Sequence, residues 1–336
     1  MPVEQKDLDL NKPLDVNIPP TLGKTSLTPE LSKAAIVLHG DHYKQLQAKL
    51  TKYVLWHPYA VILYTLSIPL VIGYGIWEYM IVCDSLIEFY FLIMRNKKDF
   101  IFAIFSSFPI LASIFGCFGF LAYVVGEDMG IITSKFYAQK YCDSIFGFDI
   151  KAFSQNENNK DKKLAKLGKN TELIIYRESP IAIGTLVVDE EQSTTSKFVV
   201  KITGIHVRKV FQKVDFDVVL IEWAILRARE LYQEYLTSQN VKTPPENSFI
   251  LVSMDAYSFD GAFEKTLLNN GFKLLDVSYE LNPFSPSGSN LMKRVFKLLN
   301  VSRDTFGIML TVGEEDIELL NKNPLTKGEN KARKRA

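Results

Sequence analysis

Two long stretches of the chain contain no charged residue. The first lies between Lys52 and Glu78 and reads YVLWHPYAVILYTLSIPLVIGYGIW; the second lies between Asp99 and Glu127 and reads FIFAIFSSFPILASIFGCFGFLAYVVG. A membrane-crossing helix needs about 20 apolar residues, so each stretch is long enough to cross with some tilt. A cleaved leader does not explain the first stretch, which begins well inside the chain. Pro69 and Pro109 fall within the runs. Proline removes one helical hydrogen bond and breaks a soluble helix, but spanning helices tolerate it where neighbours satisfy the freed carbonyl. Gly73, Gly75, Gly116 and Gly119 allow close helix approach, and Trp56, Tyr59 and Trp77 stand near the ends of the first run, as interfacial anchors do. The pattern predicts a two-helix transmembrane hairpin, over 53–82 and 100–126.

Two spans place both termini on one side. Four basic residues precede the first run (Lys33, Lys44, Lys49, Lys52), two follow the second (Lys135, Lys140), and three lie between them (Arg95, Lys97, Lys98). That bias favours cytosolic termini. The sequon Asn300-Val301-Ser302 is then expected to stay unmodified. Within the short luminal loop, 83–99, residues 86–94 read LIEFYFLIM and are apolar except for Glu88. This piece either extends the first helix or lies along the interface. If it is helical, Asp84 and Glu88 share a face, offered to another membrane protein or simply solvated.

Outside the hairpin the pattern changes period. Residues 1–27 carry Pro13, Pro19 and Pro20 with little periodicity and are expected to be a disordered tail. Thr28-Pro29 reads as a helix start, and apolar residues at helical spacing predict an amphipathic helix over 28–52. Residues 127–171 are expected to be a helical connector, with 154–170 as a polar loop. Strands are predicted at 172–176, 181–189, 198–207, 248–254, 272–280 and 306–312. Helices are predicted at 216–236, where Leu220, Ala224, Ala228, Leu231 and Tyr235 form one face, and at 261–270. Glu222, Glu230 and Glu234 read as its solvated side. The tail, 314–336, is polar and basic.

Composition adds exclusions. With 39 Lys plus Arg against 38 Asp plus Glu the net charge is +1, and there is no global case for nucleic-acid binding. The three cysteines fit neither a zinc site nor a disulfide framework. No Walker, dinucleotide or nucleophile-elbow motif occurs. His39 and His42 lack a third ligand nearby in sequence, and His206 reads as a packed strand residue, so no metal or cofactor is expected.

The order βββαβαβ followed by a final strand, with Asn270-Gly271-Phe272 opening a strand, resembles the GCN5-related N-acetyltransferase fold over 172–313. The expected fold class is therefore an α+β membrane protein: the hairpin plus a cytosolic mixed sheet flanked by helices. The resemblance implies an acyl-coenzyme A cradle at the start of the long helix, with two small residues. The aligned stretch here is Gln212 to Asp217, and Asp215 and Asp217 occupy the small positions. Their carboxylates obstruct the backbone and repel a pyrophosphate, while Asp215 suits a helix N-cap or a first-turn acid instead. The position that the family commonly gives to a proton-donating tyrosine is Leu267. Tyr257 and Tyr279 are alternatives. A fold retained without acetyl transfer is expected.

The segments KPLDVNIPPTLGKTSLTPELSKA and LTKYVLWHPYAVILY resemble a fungal endoplasmic-reticulum family of the inorganic-phosphate-transport pathway. That resemblance implies a packaging chaperone that a high-affinity phosphate transporter needs to leave the endoplasmic reticulum, with vesicle-coat components and lipid as further partners. Candidate client contacts are Gly73, Glu78, Asp84, Glu88 and Gly116, although Glu78 also fits a membrane boundary. Arg333 and Lys334 resemble a dibasic retrieval signal. The competing readings are an active membrane-tethered acetyltransferase and a lipid- or scaffold-binding membrane protein.

Overall fold

The computed structural model describes residues 19–156, 161–241, 244–245, 247–284 and 290–312. The chain divides into two compact units, one comprising Gln47–Asp128 and the other everything before and after it.

The larger unit is built on a seven-stranded mixed sheet, in the order β1-β2-β3-β4-β5-β7-β6. The strands are β1 Leu22–Ser26, β2 Thr171–Tyr176, β3 Ser179–Val188, β4 Lys197–Val207, β5 Phe249–Tyr257, β6 Lys273–Ser278 and β7 Arg303–Thr311. All neighbours are antiparallel except β4 and β5. That parallel pairing runs from Lys197 opposite Phe249 to Ile202 opposite Met254 and stops there, although β4 continues to Val207 and β5 to Tyr257. The two strand ends therefore leave a gap in the ladder.

Helix α11, Phe216–Ser238, covers one face. Leu220, Ile221, Ala224, Ala228 and Leu231 are buried there against Ala182, Val200, Val252 and Phe306. Each large apolar side chain so buried contributes roughly 1.5–3 kcal/mol. Leu267 of α12, Gly261–Asn269, joins the same core. The other face takes the first half of α1, Ser32–Leu55, and α8, Gln139–Phe146, where Leu38, Phe136, Ile145 and Phe146 are buried. The connector also contains α7 Glu127–Lys135, α9 Ile150–Ser154 and α10 Lys162–Gly168.

Several expectations need correction. The expected tail over 1–27 contains β1, which pairs with β2; residues 1–18 lie outside the described residues. The polar loop over 154–170 holds α10, capped by Asp161, whose carboxylate accepts from Lys163 N and Leu164 N. Helix α13, Asn290–Leu298, was not expected at all. Glu230 and Glu234 are not merely a solvated face. Both accept from Arg227 Nη1, at 2.7 and 3.2 Å, and the buried Arg227 also donates from Nε and Nη2 to Asn170 Oδ1.

The smaller unit is helical. Helix α1 ends at Leu55; then come α2 Pro58–Gly75, α3 Trp77–Ile81, α4 Leu86–Arg95, α5 Lys97–Ser106 and α6 Phe108–Val125. The predicted single helix over 53–82 is broken at His57-Pro58, where His57 Nδ1 accepts from Tyr59 N and proline takes the first helical position. The helix predicted over 100–126 bends at Ser107, which places Pro109 in the first turn of α6, where its missing N–H costs nothing. Two helical stretches, Pro58–Gly75 and Lys97–Val125, are long and apolar enough to cross a membrane, and most of their side chains face outward. They pack on one another through Tyr64 against Phe115 and Phe118. Ser107 Oγ also reaches Val71 O and Ala103 O. The expected luminal loop over 83–99 holds α4 and the start of α5.

Candidate functional site

The gap between β4 and β5 opens into a cavity of about 240 Å³. Its polar lining comes from α1 (His42, Tyr43), α8 (Ser144), β4 (Lys201, Thr203) and β5 (Asp255, Tyr257). Lys201 Nζ lies 2.9 Å from Asp255 Oδ2, Thr305 Oγ1 donates to Asp255 Oδ1 at 2.9 Å, and Arg303 Nη1 stands 3.9 Å away. The carboxylate is thus saturated by groups of its own sheet. Tyr257 donates its hydroxyl to Leu281 O at 3.1 Å. Burial pushes the phenols of Tyr43 and Tyr257 well above their usual range, so neither supplies a phenolate near neutrality.

His39 sits beside this cavity, fully buried. Its Nε2 is 2.9 Å from Thr185 Oγ1, and its ring meets Phe146 edge-on. Burial, and then neighbouring His42, push its pKa down to about 3, so it stays neutral. His42 lies 5.5 Å, ring to ring, from His206, a contact that links α1 to β4. Among the described residues no cluster of His, Cys, Asp or Glu is built to hold a metal ion. Sequence reasoning missed this constellation. Its signal was a lysine and an acid within otherwise apolar strands, Lys201 and Asp255.

The stretch aligned with the acyl-coenzyme A cradle follows β4. Residues Lys209–Val214 form a 3-10 helix, and Gln212 Nε2 donates to Gln45 Oε1 of α1 at 3.0 Å. Asp215 stands at the N-cap position of α11, but in a left-handed conformation (φ 52°) and without a side-chain cap bond. The expectation of a capping carboxylate is therefore corrected: an N-cap that bonds the first-turn amides has extended backbone, and Asp215 does not. Asp217 lies in the first turn. Leu267 is wholly buried in the core, so nothing at that position donates a proton. Tyr279 is half-buried, outside the cavity lining.

The candidate client contacts separate into groups. A Cβ added at Gly73 or Gly116 would meet nothing within 4 Å, so both glycines face open space. At Gly75 the added Cβ would collide with Ser107 Oγ, making Gly75 the glycine that holds the helices together. Glu88 caps its own helix: its Oε2 accepts from Asp84 N at 3.0 Å, while Ser85 Oγ accepts from Glu88 N. The expected Asp84–Glu88 stripe is thus an N-terminal cap, and Glu78 is exposed in the first turn of α3. Arg333 and Lys334 lie outside the described residues.

Taken together, the chain is a mixed α+β protein whose sheet has one parallel junction, joined to two helices of membrane-spanning length. Solved structures similar to it include acetyltransferases, at low identity. They include Ard1 from Thermoplasma volcanium (8% identity, 42% of this chain and 71% of that chain, TM-score 0.27). Naa50 from Arabidopsis thaliana is similar at 11% identity over 44% and 80%, TM-score 0.28. The IAA acetyltransferase from Bacillus cereus is similar at 12% identity over 46% and 87%, TM-score 0.28. No curated protein matches the chain. Residues 4–310 match the family described as inorganic phosphate transporter chaperone Pho86, and the chain belongs to that family. It is a chaperone for an inorganic phosphate transporter.

Proposed function

We propose that this chaperone acts as a two-pass protein of the endoplasmic-reticulum membrane, with both termini in the cytosol, and that it holds a high-affinity phosphate transporter ready for packaging into vesicles. The observation that carries this reading is the hairpin. Its helices are apolar, seal on each other at Gly75 and Ser107, and leave Gly73 and Gly116 open. A client helix approaches most closely at such small residues. Glu78 stands at the end of the first apolar run and marks either a client contact or the boundary. Vesicle-coat components and the dibasic pair Arg333-Lys334 belong to the same proposal. The experiment is deletion of the gene. The transporter is then retained in the endoplasmic reticulum; normal surface delivery in the deletion strain refutes the proposal.

The sheet domain acts in this proposal as a binding scaffold and not as an acetyltransferase. Supporting this are the left-handed, exposed Asp215 in the cradle position, the bond between Gln212 and Gln45, and the buried Leu267. Calorimetric titration of acetyl-coenzyme A into the purified, folded chain tests it. No heat of binding is expected, and micromolar binding would restore the enzyme reading.

A further inference from the structure

The short helix Lys209–Val214 places two valines in water. Val210 is 81% exposed and Val214 54% exposed. Burying such side chains stabilises a protein, so a domain that needed no partner here would gain by turning them inward. Lys209 and Lys213 beside them are also exposed, and Arg208 precedes them. Asp215 and Asp217 follow, which leaves the segment with an excess of positive charge. Apolar side chains interleaved with long cationic ones suit the boundary between lipid headgroups and acyl chains, where the apolar groups insert and the lysines reach the phosphates.

Gln212 is bonded to Gln45 of α1, which holds the segment to the fold and leaves Val210 and Val214 outside.

We infer that Lys209–Val214 is a membrane-surface anchor: Val210 and Val214 insert into the interface of an anionic bilayer, and Lys209 and Lys213 bind its headgroups. The inference rests on the reading of the apolar helices as membrane spans, and the experiment separates the two. The full chain, with its native cysteines replaced, carries a nitroxide at Val210→Cys, at Val214→Cys or, in α2, at Leu66→Cys. It is reconstituted into vesicles of phosphatidylcholine with or without phosphatidylserine. Collision rates with oxygen and with a water-soluble nickel complex are then compared.

The expected result is oxygen-favoured collision at 66 in both vesicles. At 210 and 214 it is expected mainly in the anionic vesicles, weakening with added salt. The Lys209→Glu and Lys213→Glu variants should each weaken interfacial partition by roughly fivefold. Water-like collision at 210 and 214 with 66 protected overturns the anchor and leaves the spans standing. Water-like collision at 66 overturns both. Protection at 210 that ignores lipid charge, salt and the lysine variants indicates a protein contact and also overturns the anchor.

Discussion

Gly204 and His39 are 165 positions apart in the chain, but neither position can change without the other. In the β3–β4 ladder Gly204 lies opposite Thr185, and the His39 imidazole rests over it while its Nε2 meets Thr185 Oγ1. A Cβ added at 204 would stand 2.8 Å from both Cε1 and Nδ1 of His39, closer than van der Waals contact allows. Gly204→Ala must therefore push the ring away. Overpacking costs about 1–3 kcal/mol and the lost hydrogen bond about 1 kcal/mol more, so the variant should lose about 2–4 kcal/mol. His39→Ala alone should lose about 2–4 kcal/mol from the vacated space and the abandoned hydroxyl, although Thr185 keeps its contact with Thr171. In the double variant the new methyl group occupies the space the ring has left. Its cost should match that of His39→Ala alone, well below the sum, so the coupling should equal the cost of Gly204→Ala alone, about 2–4 kcal/mol. Pulse proteolysis of the full chain in mild detergent reads these differences. Additive losses, or a neutral Gly204→Ala, would show that α1 is not seated on the sheet through this contact.

Other expectations follow from the same structure. Burial, with Glu230 adding to it and Lys24 opposing, holds the Glu172 carboxyl at about 7, above its ordinary 4.5. A carboxyl raised in the folded state costs nothing below the ordinary value and opposes folding increasingly as pH rises from about 4.5 to 7. Glu172→Gln should therefore stabilise the chain at pH 8 by on the order of 2 kcal/mol and leave it unchanged at pH 4. A thermal-shift series over pH checks this, and equal effects at both ends would contradict it. Gly75→Ala should part α2 from α5 at Ser107 and make the hairpin protease-sensitive, whereas Gly73→Ala, with open space around it, should not; identical digestion patterns for the two would be evidence against the packing. If both termini are cytosolic, Asn300 carries no glycan in cells, and a glycosidase-sensitive mass shift abolished by Asn300→Gln would reverse the topology.

The sheet was legible where period and burial agree. β4 and β5 read as strands because their apolar runs are buried, and α11 because its inward positions recur at three and four. β1 was missed because an edge strand with exposed Leu22 and Lys24 needs no apolar face and earns its place by backbone pairing alone. α10 was missed because its lysines and asparagine neighbours look like loop; what fixes it is the Asp161 cap and the packing of Gly168 against Phe153. Asp215 and Asp217 are visible in the sequence, whereas the left-handed backbone at Asp215 is not, because it is set by how the segment after β4 turns into α11. The saturation of Asp255 by Lys201 and Thr305 was not legible either, since it joins three strands far apart in the chain. Arg227 reads as one more polar helix residue until Asn170 is brought beneath it.

The last described strand, β7, is not an edge strand. It is inserted between β5 and β6, both of which precede it in the chain. A growing polypeptide that has emerged only as far as β6 holds two strands with nothing between them, and the ladder closes only after Arg303–Thr311 arrives. Completion of the sheet therefore reports that translation has passed residue 311. A message truncated upstream of that point yields a product in which β5 and β6 each keep an unpaired ladder edge, a template for pairing with another chain.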